Sequence, residues 1–232
     1  MAIDHALLVA ARRTGAAFLR LYRWSPPCLS FGRNEPALAR YDRAAIERLG
    51  LDVVRRPTGG RAVWHEHEVT YAVAAPVTAF GSLAESYRAI HERLAAALRR
   101  LGIPAGLARP SRDGTAPGLG AGACFAAPVG GEVIVDGRKI VGSAQVRHGT
   151  AFLQHGSILL DGSQQVLQAV SRQPSAIGSA TTLSAILGRP VGFHEVAEAI
   201  VAEWGVESTA SAPDRPLPPF TVFSDPAWTW RR

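Results

Sequence analysis

Between Asp52 and Leu160 several short apolar segments bounded by turn residues read as strands, and one long helical run interrupts them. This order constrains the fold more than any other feature. A doubly wound parallel sheet needs strands and helices in regular alternation, and no such alternation is present. The spacing predicts strands over Cys28–Phe31, closed by Gly32, over Asp52–Arg56 and Ala62–Ala75 around a Pro57-Thr58-Gly59-Gly60 turn, and over Thr150–Leu160. Within Glu132–Gly142, Asp136-Gly137 is the signal of a tight hairpin. The expected fold class is α+β, a mixed β-sheet flanked by helices, with residues 1–232 as one domain.

The helical segments carry their own punctuation. Ile3, Ala6, Leu7, Ala10 and Ala11 stand at helical spacing, and the pattern predicts a helix over residues 2–21. Asp42 is placed to cap a helix running to Leu49, which Gly50 stops. Ser82-Leu83-Ala84-Glu85 has the form of a capping box and opens a helix to Leu101, ended by Gly102 and Pro104. Further helices are expected over Gln164–Ser171 and over Phe193–Trp204, with Gly205 as the stop. From Arg109 to Gly122 the chain is rich in Gly, Pro and Ser and reads as a loop, and the tail after Ser208 is Pro-rich, then aromatic.

Hydrophobic residues make up 47% of the chain, enough to bury a sizeable core. No apolar run approaches the roughly 20 residues of a spanning helix, and no basic and apolar leader opens the sequence. The chain is therefore expected to be soluble and cytoplasmic, without a membrane role. Of 25 basic residues, 24 are arginine and one, Lys139, is lysine. A composition bias toward Arg explains most of this. An ammonium that survives such a bias can mark a place where a guanidinium fails, because Lys can release a proton and Arg effectively cannot. The net charge of +6 points to an acidic partner. Basic residues scattered as pairs, with no aromatic interleaving, favour an acidic protein over nucleic acid.

Four segments carry candidate chemistry. In Arg55–His65, the Thr58-Gly59-Gly60 turn allows a ligand to approach the backbone. A plain β-turn is the alternative, and the flanking arginines and His65 favour the ligand loop. On the return strand of the hairpin, period-2 alternation puts Lys139, Val141, Ser143 and Gln145 on one face, which meets either solvent or a site. Gln154-His155-Gly156-Ser157 interrupts an apolar strand, and polar groups there need partners, whether in a core or in a site. His5, His67, His91, His148 and His194 show no metal-ligand spacing and read as ordinary. The two cysteines differ in setting. Cys28 lies in an apolar strand, as a small buried hydrophobe would. Cys124 lies in a Gly-rich loop just before the Lys139 hairpin. A nearby ammonium favours thiolate, and a Cys with a Lys, no metal and no nucleotide loop points to acyl transfer through a thioester.

Together these segments resemble the lipoate–protein ligase/octanoyltransferase branch of the biotin/lipoate ligase superfamily. The carriers are Arg55–His65, Glu68-Val69-Thr70-Tyr71, Gly137–Gln145 and Leu153-Gln154-His155-Gly156, joined by Met1–Leu8 and Ser224–Trp228. Arg61 stands where many ligases have a third glycine. With Ala123-Cys124-Phe125 ahead of the hairpin, it makes the chain most similar to the cysteine-dependent octanoyl-acyl carrier protein:protein N-octanoyltransferases of the ligase-like lineage. The resemblance implies the catalytic core shared by class II synthetases and biotin–lipoate ligases, with no accessory C-terminal domain and reduced carrier-docking segments. It implies Cys124 as nucleophile and Lys139 as the residue that orients the acyl carbonyl and assists proton transfer. Arg56, Thr58, Gly59, Gly60 and His65 would form one wall of the acyl site, and Ser143, Ala144, Gln154, His155 and Gly156 the other. Val73, Val141 and Leu153 are candidates for an apolar acyl slot. The implied partners are acyl carrier protein bearing octanoate and lipoyl-domain proteins such as glycine cleavage H protein or a 2-oxoacid dehydrogenase E2. No cofactor or metal is expected. ATP and Mg would enter only for a lipoate ligase, and a carrier-to-carrier octanoyl or lipoyl amidotransferase is the other related activity.

Overall fold

The computed structural model describes residues 1–109, 130–173, 180–205 and 221–231. Most of the 109–122 loop, Cys124 and the Pro-rich tail lie outside them. Helix α1 (Ala2–Thr14) opens the chain and is followed by β1 (Phe18–Tyr22), β2 (Cys28–Phe31), α2 (Ala37–Arg40), α3 (Arg43–Arg48) and β3 (Asp52–Arg55). Then come β4 (Val63–His65), β5 (Glu68–Pro76), α4 (Leu83–Arg100), β6 (Gly106–Leu107), β7 (Val133–Val135), β8 (Arg138–Lys139), β9 (Val141–His148) and β10 (Ala151–Leu159). The helices α5 (Val166–Val170), α6 (Leu183–Leu187), α7 (Phe193–Trp204) and α8 (Pro226–Thr229) complete it.

Four strands form an antiparallel sheet in the order β1-β5-β10-β9. A second sheet, β3-β2-β4, is mixed, with β2 parallel to β3 and antiparallel to β4. A third, β6-β7-β8, contains the Asp136-Gly137 hairpin. The fold class is α+β, as the spacing predicts. One face of the large sheet sets Val69, Tyr71, Val73, Val141, Phe152 and Ile158 into a core with Ile90, Leu94 and Leu98 of α4 and Val196 and Ile200 of α7. The other face packs Ala72, Ala74 and Leu153 on Leu8 and Ala11 of α1. The mixed sheet has its own core of Leu29, Phe31, Ile46, Trp64, Leu167 and Val170.

Local chemistry fixes the helix ends. In α4, Ser82 Oγ accepts from Glu85 N at 3.2 Å and Glu85 Oε2 accepts from Ser82 N at 2.6 Å, the reciprocal bonds of the capping box. Asp42 caps α3 through Ala44 N and Ala45 N. The helix expected over residues 2–21 is shorter. Gly15 takes a left-handed φ of 73° and donates to Ala11 O, which ends α1. Phe18–Tyr22 then pairs with β5 as an outer strand. The strand expected over Ala62–Ala75 is also two strands. It breaks at Glu66-His67 because β4 belongs to the mixed sheet and β5 to the large one.

A third difference concerns the faces. The chain changes sheets across Ile140, since Lys139 pairs with Ile134 of β7 while Val141 pairs with Ile158 of β10. Lys139 therefore does not continue the alternation of β9. Val141 and Ser143 face α4, and Gly142 and Ala144 face the opposite side, toward the mixed sheet. Among the described residues no helix is long and apolar enough to cross a membrane.

Candidate active site

A cleft whose open space, solvent included, is about 330 Å³ lies between the mixed sheet and the large one. Trp24, Arg56, Val63 and His65 line it on one side, and Tyr22, Gly142, Ser143, Ala144, His155, Gly156 and Ser157 of the large sheet on the other. The two segments expected as walls therefore meet. Thr58 Oγ1 lies 2.6 Å from His155 Nε2 across the junction. Gly60 adopts a φ of +87°, and a Cβ built on it would stand 3.7 Å from Ala144 Cβ. The turn is packed so tightly that a Cβ on Gly32 would overlap the Gly60 carbonyl oxygen. Glycine is required here because two backbones touch.

Two buried polar networks hold the walls. His155 Nδ1 is 3.2 Å from Asp4 Oδ2, which also accepts from Tyr22 OH at 2.9 Å, while Asp4 Oδ1 accepts from Arg20 at 2.6 Å. Burial opposes ionisation of Asp4, but the bond from His155, then the N-terminal ammonium and the Arg20 guanidinium, outweigh it and hold the carboxyl well below the usual carboxylate range. Burial lowers the pKa of His155 against the pull of Asp4. The ring is therefore neutral, with Nδ1–H on Asp4 and Nε2 accepting from the Thr58 hydroxyl.

In the second network Glu68 Oε1 accepts from His65 Nδ1 at 2.8 Å, from Ser157 Oγ at 2.8 Å and from Thr70 Oγ1. With its Nδ1 donating, His65 Nε2 accepts from Ser30 Oγ at 2.5 Å. Arg56 Nη1 donates to Ser30 O at 2.9 Å and to Ser30 Oγ. The Trp24 indole stacks on His65 with ring centroids 4.6 Å apart. Ser30, His65 and Glu68 have the order of a serine–histidine–acid relay. Ser30 is wholly buried and clamped by Arg56, so the set orients His65 and offers no nucleophile.

Not every expected residue faces the cleft. Gln154 lies on the helix side and donates to Tyr71 OH at 3.0 Å. Ser143 does line the cleft, but its hydroxyl points to the helix side, 2.6 Å from Tyr71 OH. Val73 and Val141 belong to the core under α4, and Leu153 packs on α1, so none of the three lines the cleft. Trp24, Tyr22 and Val63 supply the apolar surface instead. Lys139 is 3% exposed and its Nζ donates to Glu132 Oε1 at 2.7 Å, outside the cleft lining. Cys124 lies outside the described residues. Cys28 is buried, and burial with the Asp52 charge pushes its thiol up to about 12, so it is inert.

Sequence reasoning paired Arg55 with Arg56, but their roles diverge. Arg55 is wholly buried and donates to the carbonyls of Gly32, Arg33, Glu35, Thr229 and Arg231, which ties α8 to the mixed sheet. Asp4, Trp24, Ser30 and Glu132 carried no separate signal in the sequence. Glu68 did, since a carboxylate three residues after His65 can reach across a strand turn.

This fold and cleft define a lipoyl-ligase-type catalytic domain. Residues 1–205 match the lipoyl protein ligase A/B catalytic domain, and the chain belongs to that family. It is 43% identical over 218 residues to octanoyltransferase LipM of Kyrpidia tusciae, covering 86% of this chain and 79% of that protein. It is 39% identical to octanoyltransferase LipM of Symbiobacterium thermophilum, covering 87% and 79%. Among solved structures, lipoate-protein ligase A bound with ATP superposes with a TM-score of 0.72 at 23% identity, covering 88% of this chain and 77% of that one. P. falciparum LipL1 in complex with lipoate gives 0.75 at 18% identity, covering 100% and 70%. At these identities the structural likeness establishes the fold alone.

Proposed function

We infer that the chain is an octanoyltransferase of lipoate biosynthesis that works through a cysteine thioester. The observation that carries this reading is its identity of 43% with an octanoyltransferase, sustained over most of both chains. The donor is octanoyl acyl carrier protein and the acceptor a lysine of a lipoyl domain, either glycine cleavage H protein or a dehydrogenase E2. The Cys124 thiolate attacks the donor thioester carbonyl, and the phosphopantetheine thiolate leaves. The acceptor amine then attacks the Cys124 thioester, loses a proton, and returns Cys124 as thiolate.

Thioester exchange is near neutral in energy and amide formation drives the sequence forward, so no ATP, metal or other cofactor is needed. Lys139 orients the acyl carbonyl and assists the proton transfers. Arg56, Thr58, Gly59, Gly60, His65, Ala144, His155 and Gly156 shape the acyl cleft. Burying an eight-carbon chain at about 0.8 kcal/mol per methylene is worth on the order of 5 kcal/mol, and Trp24, Tyr22 and Val63 are large apolar side chains of the cleft lining that such a chain would meet. The +6 net charge suits acidic carriers in the cytoplasm.

Incubation with octanoyl acyl carrier protein should give an octanoyl adduct by intact mass, lost in Cys124→Ala. An adduct that persists in that variant sinks the assignment. Pyrophosphate release from ATP with free octanoate would instead identify an ATP-dependent ligase.

A further inference from the structure

Helix α4 buries a histidine on its core face. His91 is wholly buried beside Ile90 and Leu94, with the Tyr87 ring edge-on at 4.2 Å. Its Nδ1 lies 2.7 Å from Gly131 O and its Nε2 lies 2.7 Å from Ser143 Oγ. A carbonyl only accepts, so Nδ1 carries the proton and Nε2 accepts from the Ser143 hydroxyl. Ser143 Oγ accepts in turn from Tyr71 OH, which accepts from Gln154 Nε2, while Gln154 Oε1 accepts from Gln145 Nε2 at 3.2 Å. Every donor in this chain of bonds has one direction. Burial lowers the pKa of His91 to about 4, the Gly131 bond opposing and the Lys139 charge adding to the shift.

The far end of the chain is the turn that serves Lys139. Gly131 precedes Glu132, the buried carboxylate on Lys139 Nζ. On its other side this turn is held by Gly131 N on Ala108 O and by Ala108 N on Glu132 O, both at 2.8 Å. His91 is thus the side chain that joins α4, the cleft wall at Ser143, and the Gly131-Glu132 turn.

We propose that His91 is a positioning residue for Lys139. Its Nδ1–H fixes the Gly131 carbonyl, and with it the Glu132 carboxylate that holds the ammonium, while Nε2 ties the same unit to Ser143. The proposal rests on the reading of Lys139 as a participant in octanoyl transfer. Two substitutions separate the ends of the ring. Asparagine places an amide donor near the position of Nδ1. Glutamine reaches toward Ser143 and leaves Gly131 O without its donor.

His91→Gln should lower kcat about 100-fold, the scale of a 1 Å misplacement. KM for the octanoyl carrier should change less than about two-fold, because ground-state binding is untouched. His91→Asn should recover at least about ten-fold of the lost kcat. Equal losses in the two variants, or a loss carried in KM, overturn the proposal. A measurement that needs no variant to fold is the ¹⁵N spectrum of the wild-type ring. It should show a protonated Nδ1 and a bare Nε2, and the reverse tautomer overturns the proposal outright. Lys139→Ala separates the two readings. Wild-type turnover in that variant removes the Lys139 reading and this proposal together, whereas an inactive Lys139→Ala beside a fully active His91→Gln removes only the positioning role.

Discussion

Gly156 sits in β10 opposite Tyr71 of β5 and Ser143 of β9, where three strands crowd together. A Cβ at this position would stand 2.6 Å from Ser143 Oγ and 2.8 Å from Tyr71 Cε1, and would overlap the Gly142 carbonyl oxygen. That carbonyl belongs to the chain of a paired strand and cannot swing aside as a flexible side chain can. Relief requires β9 and β10 to separate by about 1 Å, and overpacking of this kind typically costs about 1–3 kcal/mol. For a chain of this size each kcal/mol is worth roughly 2–4 °C, so Gly156→Ala should lower Tm by about 2–12 °C. The same methyl displaces the hydroxyl that links Tyr71 to His91, and octanoyl transfer should fall with it. Gly59→Ala is the control. Among the described residues a Cβ there meets nothing within 4 Å, and its φ is not in the left-handed region. Its stability should stay within about 0.5 kcal/mol of wild type, while KM for the octanoyl carrier rises if the turn contacts the acyl group. Scanning calorimetry with a steady-state transfer assay reads both quantities. A Gly156→Ala protein that melts with the wild type, or a Gly59→Ala protein that melts below it, would refute the packing argument.

Lys139→Arg keeps a cation beside Glu132 but puts a wide planar head, with no proton to release, into a site closed around an ammonium. Transfer should fall by about 10²–10⁴-fold with Cys124 still alkylated by iodoacetamide, and near-wild-type turnover would mean that Lys139 supplies charge alone. Acid should destabilise the fold through His91. Its folded pKa of about 4 lies below the unfolded value of about 6.5, so between these pH values the unfolded chain binds a proton that the folded one refuses. Stability is then full above about pH 6.5 and falls by about 3 kcal/mol as pH drops to about 4. Urea titrations across that window should show a shallower loss in His91→Asn, and an unchanged slope would contradict the assignment.

Much of the arrangement was legible because the chain marks it locally. The capping box at Ser82 and Glu85, the Asp136-Gly137 turn and Gly205 after α7 are short-range signals, and each element formed where its signal stands. The two cleft walls were legible as well, since glycines and isolated polar residues in apolar strands have few structural uses. What failed was decided at long range. Phe18–Tyr22 becomes a strand because β5 offers it an edge; Gly15 marks where α1 ends, but nothing local says that a strand follows. Gln154 and the Ser143 hydroxyl turn toward α4 because each shares the face of the large sheet that carries Tyr71. Periodicity assigns residues to two faces, but only the packing of α4 and the mixed sheet decides which face is which.

The large sheet thus carries a polar network on each side. Asp4–His155–Thr58 and Glu68–His65–Ser30–Arg56 lie toward the cleft, and Gln145–Gln154–Tyr71–Ser143–His91–Gly131 lies toward α4. Apolar side chains of similar volume would pack these layers at least as stably, because every buried polar group first loses its water. What the networks supply is direction. Each ends on a backbone turn, the first at Thr58 and the last at Gly131-Glu132, and each uses a neutral or paired histidine whose two nitrogens face different elements. A turn anchored by packing alone can slide by fractions of an ångström, whereas one anchored by aimed hydrogen bonds has a single position. Both walls of the cleft and the ammonium of Lys139 are therefore referred to the same rigid sheet, which is what the two-step transfer proposed above would ask of the groups around its carbonyl.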